Sequence, residues 1–175
     1  MIPQIPQIKK ILYATDLTKN SAYAFFYAVD TARSHDAKIV ILHALEPIPG
    51  FAEAEAGITE EWKLKQQKDT VEELKKRLQA FCKRTEAQMG PPCVELVSKI
   101  LVTRGYPPEE ILNAANEEGC DVIVLGTHGK GFLVHTFIGS VSNAVLHRTR
   151  KPVFIIPLPS EETTMDWDGI ASQKE

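Results

Sequence analysis

Short runs of consecutive apolar residues alternate along this chain with longer stretches in which apolar residues recur every three or four positions. The runs lie at residues 8–14, 38–44, 94–102, 121–125 and 152–157. Continuous apolar runs of this length fit strands covered on both faces, as in a parallel sheet. The run at 94–102 is less uniformly apolar and is expected nearer an edge. Between the runs, the periodic stretches predict helices. One is capped by Thr18 or Asn20 and reaches about Ser34, with Phe25, Ala28, Val29 and Ala32 on one face. A long charged helix spans residues 60–88, with Val71, Leu74, Leu78 and Phe81 as its stripe and Gly90-Pro91-Pro92 as its stop. That stripe is too short to favour a coiled coil. A third helix starts at Pro107-Pro108, carries Glu109 and Glu110 in its first turn, and ends at Gly119. A fourth covers residues 139–147. Residues 46–59, with Pro47, Pro49, Gly50 and Gly57, read as irregular. Residues 1–7 read as a loose arm and residues 158–175 as a mobile tail.

Strands that alternate with helices predict an α/β domain at residues 8–157, a parallel sheet with helices on both faces joined by right-handed crossovers. In such sheets ligands bind beyond the carboxyl ends of the strands, where strand order reverses. The first strand ends in Thr15-Asp16. The fourth runs straight into Gly126-Thr127-His128-Gly129, followed by Gly139-Ser140, which together read Gly-x2-Gly-x9-Gly-Ser. A strand, a glycine-rich loop and a helix start are how α/β proteins hold phosphate. Glycine lets backbone N–H groups approach an anion, and a helix N-terminus offers unpaired donors and a positive dipole end. If the first and fourth strands are neighbours, Asp16 faces this loop across one crevice, the arrangement of a mononucleotide site. There is no Gly-x4-Gly-Lys-(Ser/Thr) for a P-loop. Gly129-Lys130-Gly131 lacks the third glycine and the long helix of a dinucleotide fingerprint.

Composition narrows the function classes. A net charge of −3 supplies no basic field for nucleic acid. The basic run from His147 to Lys151 is short, has no interleaved aromatics, and closes a helix, where cations complement the dipole. No apolar run is long enough to span a membrane, and the first residues form no signal peptide, so a cytoplasmic protein is expected. Cys82, Cys93 and Cys120 are odd in number, widely spaced and form no CxxC pair, which predicts free thiols with neither a disulfide nor a zinc site.

Other polar residues have competing readings. Asp16 serves the ligand, caps the first helix, or does both. His43 reads as a hydrogen-bonded residue at a strand end, and His128 lies in the loop. His135 and His147 lack carboxylate partners at useful spacing, so no metal site is expected from them. Lys130 is a phosphate lysine or a solvated charge. The sequence places no acidic pair near the glycine loop, and Asp121 starts its strand far from the ligand end; efficient phosphoryl transfer would need a positioned base and a held metal. The aspartate cluster of a phospho-receiver after the first strand is also missing. No catalytic residue is assigned.

These residues resemble the nucleotide-binding branch of the universal stress protein family. The likeness runs through Lys10-Ile11-Leu12-Tyr13-Ala14-Thr15-Asp16, Leu42-His43-Ala44, Gly105-Tyr106-Pro107-Pro108-Glu109-Glu110-Ile111, Cys120 to Gly129, Gly139 to Ser142 and Lys151-Pro152-Val153. It covers about residues 8–157. The resemblance implies a single-domain open five-stranded parallel sheet in the order 3-2-1-4-5, Rossmann-like and akin to the adenine nucleotide alpha hydrolases. It implies ATP as ligand, with any Mg2+ or Mn2+ riding on the phosphates. By carry-over, Asp16 would contact the nucleoside end and Ala44 would offer backbone groups to the adenine edge. Leu125 and Gly126 would pack beside the ribose, and Gly129, Gly139, Ser140 and Val141 would supply donors to the phosphates. Family members commonly pair through the fifth strand, so a homodimer through residues 153–156 is expected. Ala14 stands where some members have proline. The family offers two functional readings: a regulatory binding module acting in stress response, or a slow ATPase or autophosphorylating protein.

Overall fold

The computed structural model describes residues 5–90, 93–127 and 138–157. Gly129, His128, Lys130, His135, the tail at 158–175 and most of the expected N-terminal arm lie outside the described residues. Along the chain run β1 (Lys10–Ala14), α1 (Lys19–His35), β2 (Lys38–Leu45), α2 (Gly50–Ala56), α3 (Glu60–Met89), a 3-10 turn (Cys93–Leu96), β3 (Val97–Arg104), α4 (Pro107–Glu117), β4 (Val122–Gly126), α5 (Ser140–Arg148) and β5 (Val153–Ile156). The strands form one parallel sheet in the order β3-β2-β1-β4-β5. The order reverses at β1 and β4, so the crevice between their carboxyl ends is the expected ligand position.

Alternate residues of each central strand enter opposite core layers. Ile11, Tyr13, Ile39, Ile41, Val122 and Val124 pack with α1 and α3 on one face. Leu12, Ala14, Val40, Leu42, Ile123 and Leu125 pack with α4 and α5 on the other. On the first face the α1 residues Phe25, Ala28, Val29 and Ala32 are buried, and Phe81 of α3 meets Phe25 with ring centroids 5.7 Å apart. Asp121 clasps the entry to the sheet: its Oδ2 accepts from the N–H groups of Lys9 and Lys10 at 2.8 and 2.9 Å. That carboxylate stands at the end of the sheet opposite the crevice.

Three expectations are corrected. Residues 50–56 form a helix, not an irregular segment. Pro49 stands at its N-cap and Gly57, at φ 63°, ends it by donating to the Glu53 carbonyl. The residues read as breakers are therefore its terminators, and the alanines between them favour helix. Lys63 ties this helix to α3 through Glu53 at 2.6 Å.

The third strand begins at Val97 and runs to Arg104, because residues 93–96 form a 3-10 turn. Its register with β2 shifts between Ile39 and Val40, and Ser98 Oγ donates to the Ile39 carbonyl at 3.2 Å there. The sheet order confirms β3 as an edge.

Cys82 and Cys93 are joined in a disulfide with Cα atoms 5.6 Å apart. Gly90, at φ 75°, caps the end of α3, and Cys93 packs in the core with Leu78 and Phe81 of that helix. The cysteine pattern thus no longer argues for a reducing compartment. Cys120 is free and buried, and burial pushes its thiol up to about 11. Denatured without reductant, the chain should expose one titratable thiol of its three cysteines, since two are cross-linked. Reduction should lower stability by about 2–3 kcal/mol for a loop of this size. Three reactive thiols before reduction would disprove the cross-link.

Candidate functional site

At the carboxyl end of β1 the backbone is fixed by a dense set of hydrogen bonds. Thr15 N–H donates to the Leu42 carbonyl at 2.9 Å, and His43 Nδ1–H donates to the Thr15 carbonyl at 2.8 Å. Thr15 Oγ1 lies 2.9 Å from Ser21 Oγ and accepts from Leu17 N–H at 3.0 Å. Leu17 has φ 66°, in the left-handed region, so this turn is held against local preference by its hydrogen bonds. Thr18 is the N-cap of α1. Asp16 does not cap the helix itself: its Oδ1 accepts from Thr18 N–H at 3.0 Å and from Thr18 Oγ1–H at 2.6 Å. Asp16 therefore holds the capping residue while its carboxylate borders the crevice.

Across the crevice, β4 ends at Gly126. A Cβ there would lie 3.1 Å from Asn20 Cγ, so glycine allows β4 to pack on the start of α1. Asn20 Nδ2 in turn donates to Thr127 Oγ1 at 3.2 Å. Gly139 N–H donates to the Thr127 carbonyl at 2.5 Å, and Ser142 Oγ donates to the Gly126 carbonyl at 2.7 Å. These bonds bring the first turn of α5 against the end of β4. Gly139 is the N-cap of α5 and supplies no side-chain hydrogen bond, and the first turn holds no acidic residue. The first backbone N–H groups of a helix have no intrahelical acceptor. Here the residues of that turn, Ser140, Val141 and Ser142, line the crevice beside Gly126, with His147 and Arg148 at the opposite, negative end of the helix dipole.

These pieces enclose one cleft of about 570 Å³, within the range of small-molecule sites. Asp16, Ala44, Leu125, Gly126, Gly139, Ser140 and Val141 all line it. Of the residues expected at the site, Gly129 alone lies outside the described residues. The cleft is also lined by Glu46, Gln66 and Arg104, which the sequence reading did not name. Arg104 escaped because β3 was expected to stop at Val102, which left it in a loop. A charged residue on the last position of a strand in such a sheet is the signal that would have found it. Two basic residues near the end of α5 have partners of their own. Arg148 pairs with both carboxylate oxygens of Glu109, and Lys151 Nζ donates to the Cys120 carbonyl at 2.6 Å. Among the described residues no group of three or more His, Cys, Asp or Glu side chains is placed to hold a metal ion.

A family model described as the universal stress protein family matches residues 7–157. The chain belongs to the universal stress protein family. It is 32% identical over 148 residues to a universal stress protein of Thermus aquaticus, covering 85% of this chain and 98% of that one. It is 28% identical over 158 residues to universal stress protein MJ0577 of Methanocaldococcus jannaschii, covering 85% and 94%. The solved structure of MJ0577 matches with a TM-score of 0.64 at 27% identity, over 89% of this chain and 99% of that one. A universal stress protein solved in complex with cAMP shares the fold, with a TM-score of 0.54 at 20% identity over 86% of this chain and 98% of that one. The universal stress protein sheet, with its 3-2-1-4-5 order, is thus the sheet described above. No helix among the described residues is long and apolar enough to cross a membrane.

Proposed function

We propose that this universal stress protein is an adenine-nucleotide-binding module, with ATP as its ligand, whose occupancy regulates partners or oligomeric state under stress. The observation that carries the reading is the first turn of α5, capped by a glycine and opening on the same cleft as Gly126. Unpaired N–H donors at a helix N-terminus are a phosphate site. In this reading Gly129, Gly139, Ser140 and Val141 hold the phosphates and Leu125 and Gly126 border the ribose. Ala44 meets the adenine edge with its backbone, and Asp16 contacts the nucleoside end. A family member crystallised with cAMP, itself an adenine nucleotide, is in keeping with this. A magnesium or manganese ion would ride on the phosphates.

Binding is favoured over efficient turnover. Asp16 already accepts two hydrogen bonds from Thr18, Glu46 follows β2, and Asp121 is committed at the far end of the sheet. None of the three stands at the α5 end of the cleft, where a base and a held metal would be needed. The test is to denature the purified protein and identify released nucleotide by chromatography and mass spectrometry. Released ATP supports the module, whereas ADP or AMP alone would favour the slow ATPase. If nothing is released and ATP titration detects no binding, the reading is wrong.

The same proposal includes a homodimer through β5. Among the described residues this strand pairs with β4 alone and its other edge is open, with Val153, Phe154 and Ile155 half-buried. An apolar open edge invites pairing with another strand. Sedimentation at micromolar concentration should give a dimer; a monomer would refute this assembly.

A further inference from the structure

Arg104 is a half-buried cation whose hydrogen-bond partners among the described residues are all neutral. It ends β3 in register with Leu45, next to the Ala44–Thr103 pair. Its Nη1 donates to the Glu46 carbonyl at 3.1 Å, and its Nη2 donates to Gln66 Oε1 of α3. Its Nε is buried with no partner among the described residues. The carboxylates that line the cleft, Asp16 and Glu46, form no ion pair with it. A guanidinium has five N–H donors in a planar fork and no acceptor. Two are engaged and Nε–H is enclosed, so one N–H remains on each Nη. Gln66 Oε1 accepts from Arg104, which turns that oxygen toward the guanidinium, and the amide also carries two Nε2–H donors.

The placement of this donor set decides what it reads. In the sheet order, β3 lies beyond β2, and β4 with α5 lies on the other side of β1. With phosphates at α5 and the base beside Ala44, Arg104 stands at the outer edge of the base. Adenine presents an acceptor and an amine donor on its N7 edge, whereas a 6-oxopurine presents two acceptors, N7 and O6. A donor-only fork matches the second.

We propose that Arg104, oriented by Gln66, admits 6-oxopurine nucleotides to the cleft alongside ATP. The inference rests on the nucleotide reading above. Calorimetric titration of the full chain with ATP and with inosine triphosphate, which carries O6 and N7 without guanine's extra amine, should give affinities within about tenfold of each other. Arg104→Leu should shift the ratio against inosine triphosphate by about tenfold or more. Gln66→Glu should shift it the same way, because a carboxylate would claim the guanidinium, and it provides a second route should Arg104→Leu fold poorly. If both nucleotides bind and neither variant moves the ratio, this inference fails while the proposed function stands. It fails equally if the unaltered protein binds inosine triphosphate more than about a hundredfold below ATP. If the unaltered protein binds neither nucleotide, the proposed function falls and takes this inference with it.

Discussion

Gly139→Val should weaken ATP binding by at least about a hundredfold and leave the fold intact. Loss of two hydrogen bonds to a charged group, at about 1.5–3 kcal/mol each, supplies that factor. The backbone of Gly139 has φ −57° and ψ 157°, which any residue can adopt. Valine therefore meets no backbone strain there, and its N–H can keep the bond to the Thr127 carbonyl. What changes is access. A branched side chain at the N-cap stands before the first turn of α5, where an anion must approach the N–H groups closely. Replacing glycine by valine as N-cap costs about 1 kcal/mol or less, a fall of a few degrees in melting temperature for a chain of this size. Binding loss without unfolding is thus the expected pair of readouts. Titration of the variant with ATP, alongside a thermal melt, checks both. Undiminished affinity would remove the first turn of α5 from the phosphate site.

The parts of this molecule legible in the sequence are those where one physical cause dominates. β1, β2 and β4 are buried on both faces, and their continuous apolar runs admit few other readings. Gly126 and Gly139-Ser140 announce the cleft because close backbone approach leaves glycine as the simplest solution. The misread parts are those where two causes compete. Pro49 and Gly57 break structure in isolation, yet at the two ends of an alanine-rich segment they delimit a helix. Val94 and Leu96 have the apolarity of a strand, but the covalent link of Cys93 to α3 accompanies a 3-10 turn instead. That link is invisible to spacing, because it depends on the folded chain setting Cys93 against α3. Arg104 was hidden by the same displacement of β3. Its partners, Glu46 just after β2 and Gln66 of α3, are brought together only in the folded chain.

Phe25→Ala should be the most destabilising simple truncation on the α1 face of the sheet. Phe25 is fully buried, its ring centroid 5.0 Å from that of Tyr13 and 5.7 Å from that of Phe81. It thereby couples β1, α1 and α3. Removing a buried phenyl ring costs about 3–5 kcal/mol, from lost transfer energy and the cavity left behind. Against a total of about 5–15 kcal/mol for a domain, that is a large fraction. At 2–4 °C per kcal/mol the melting temperature should fall by about 6–20 °C. The effect also reaches the cleft, because Tyr13 Oη donates to the Ser21 carbonyl at 2.5 Å and Ser21 lines the cleft beside Thr15. A ligand that binds only the folded state offsets such a loss: at a hundred times its dissociation constant it adds about 2.7 kcal/mol. ATP at that concentration should therefore recover a substantial part of the lost melting temperature in Phe25→Ala and little, about 0.4 kcal/mol at most, in a Phe25→Ala, Gly139→Val double variant. Equal recovery in both would show that the nucleotide stabilises the fold from somewhere other than the α5 end of this cleft.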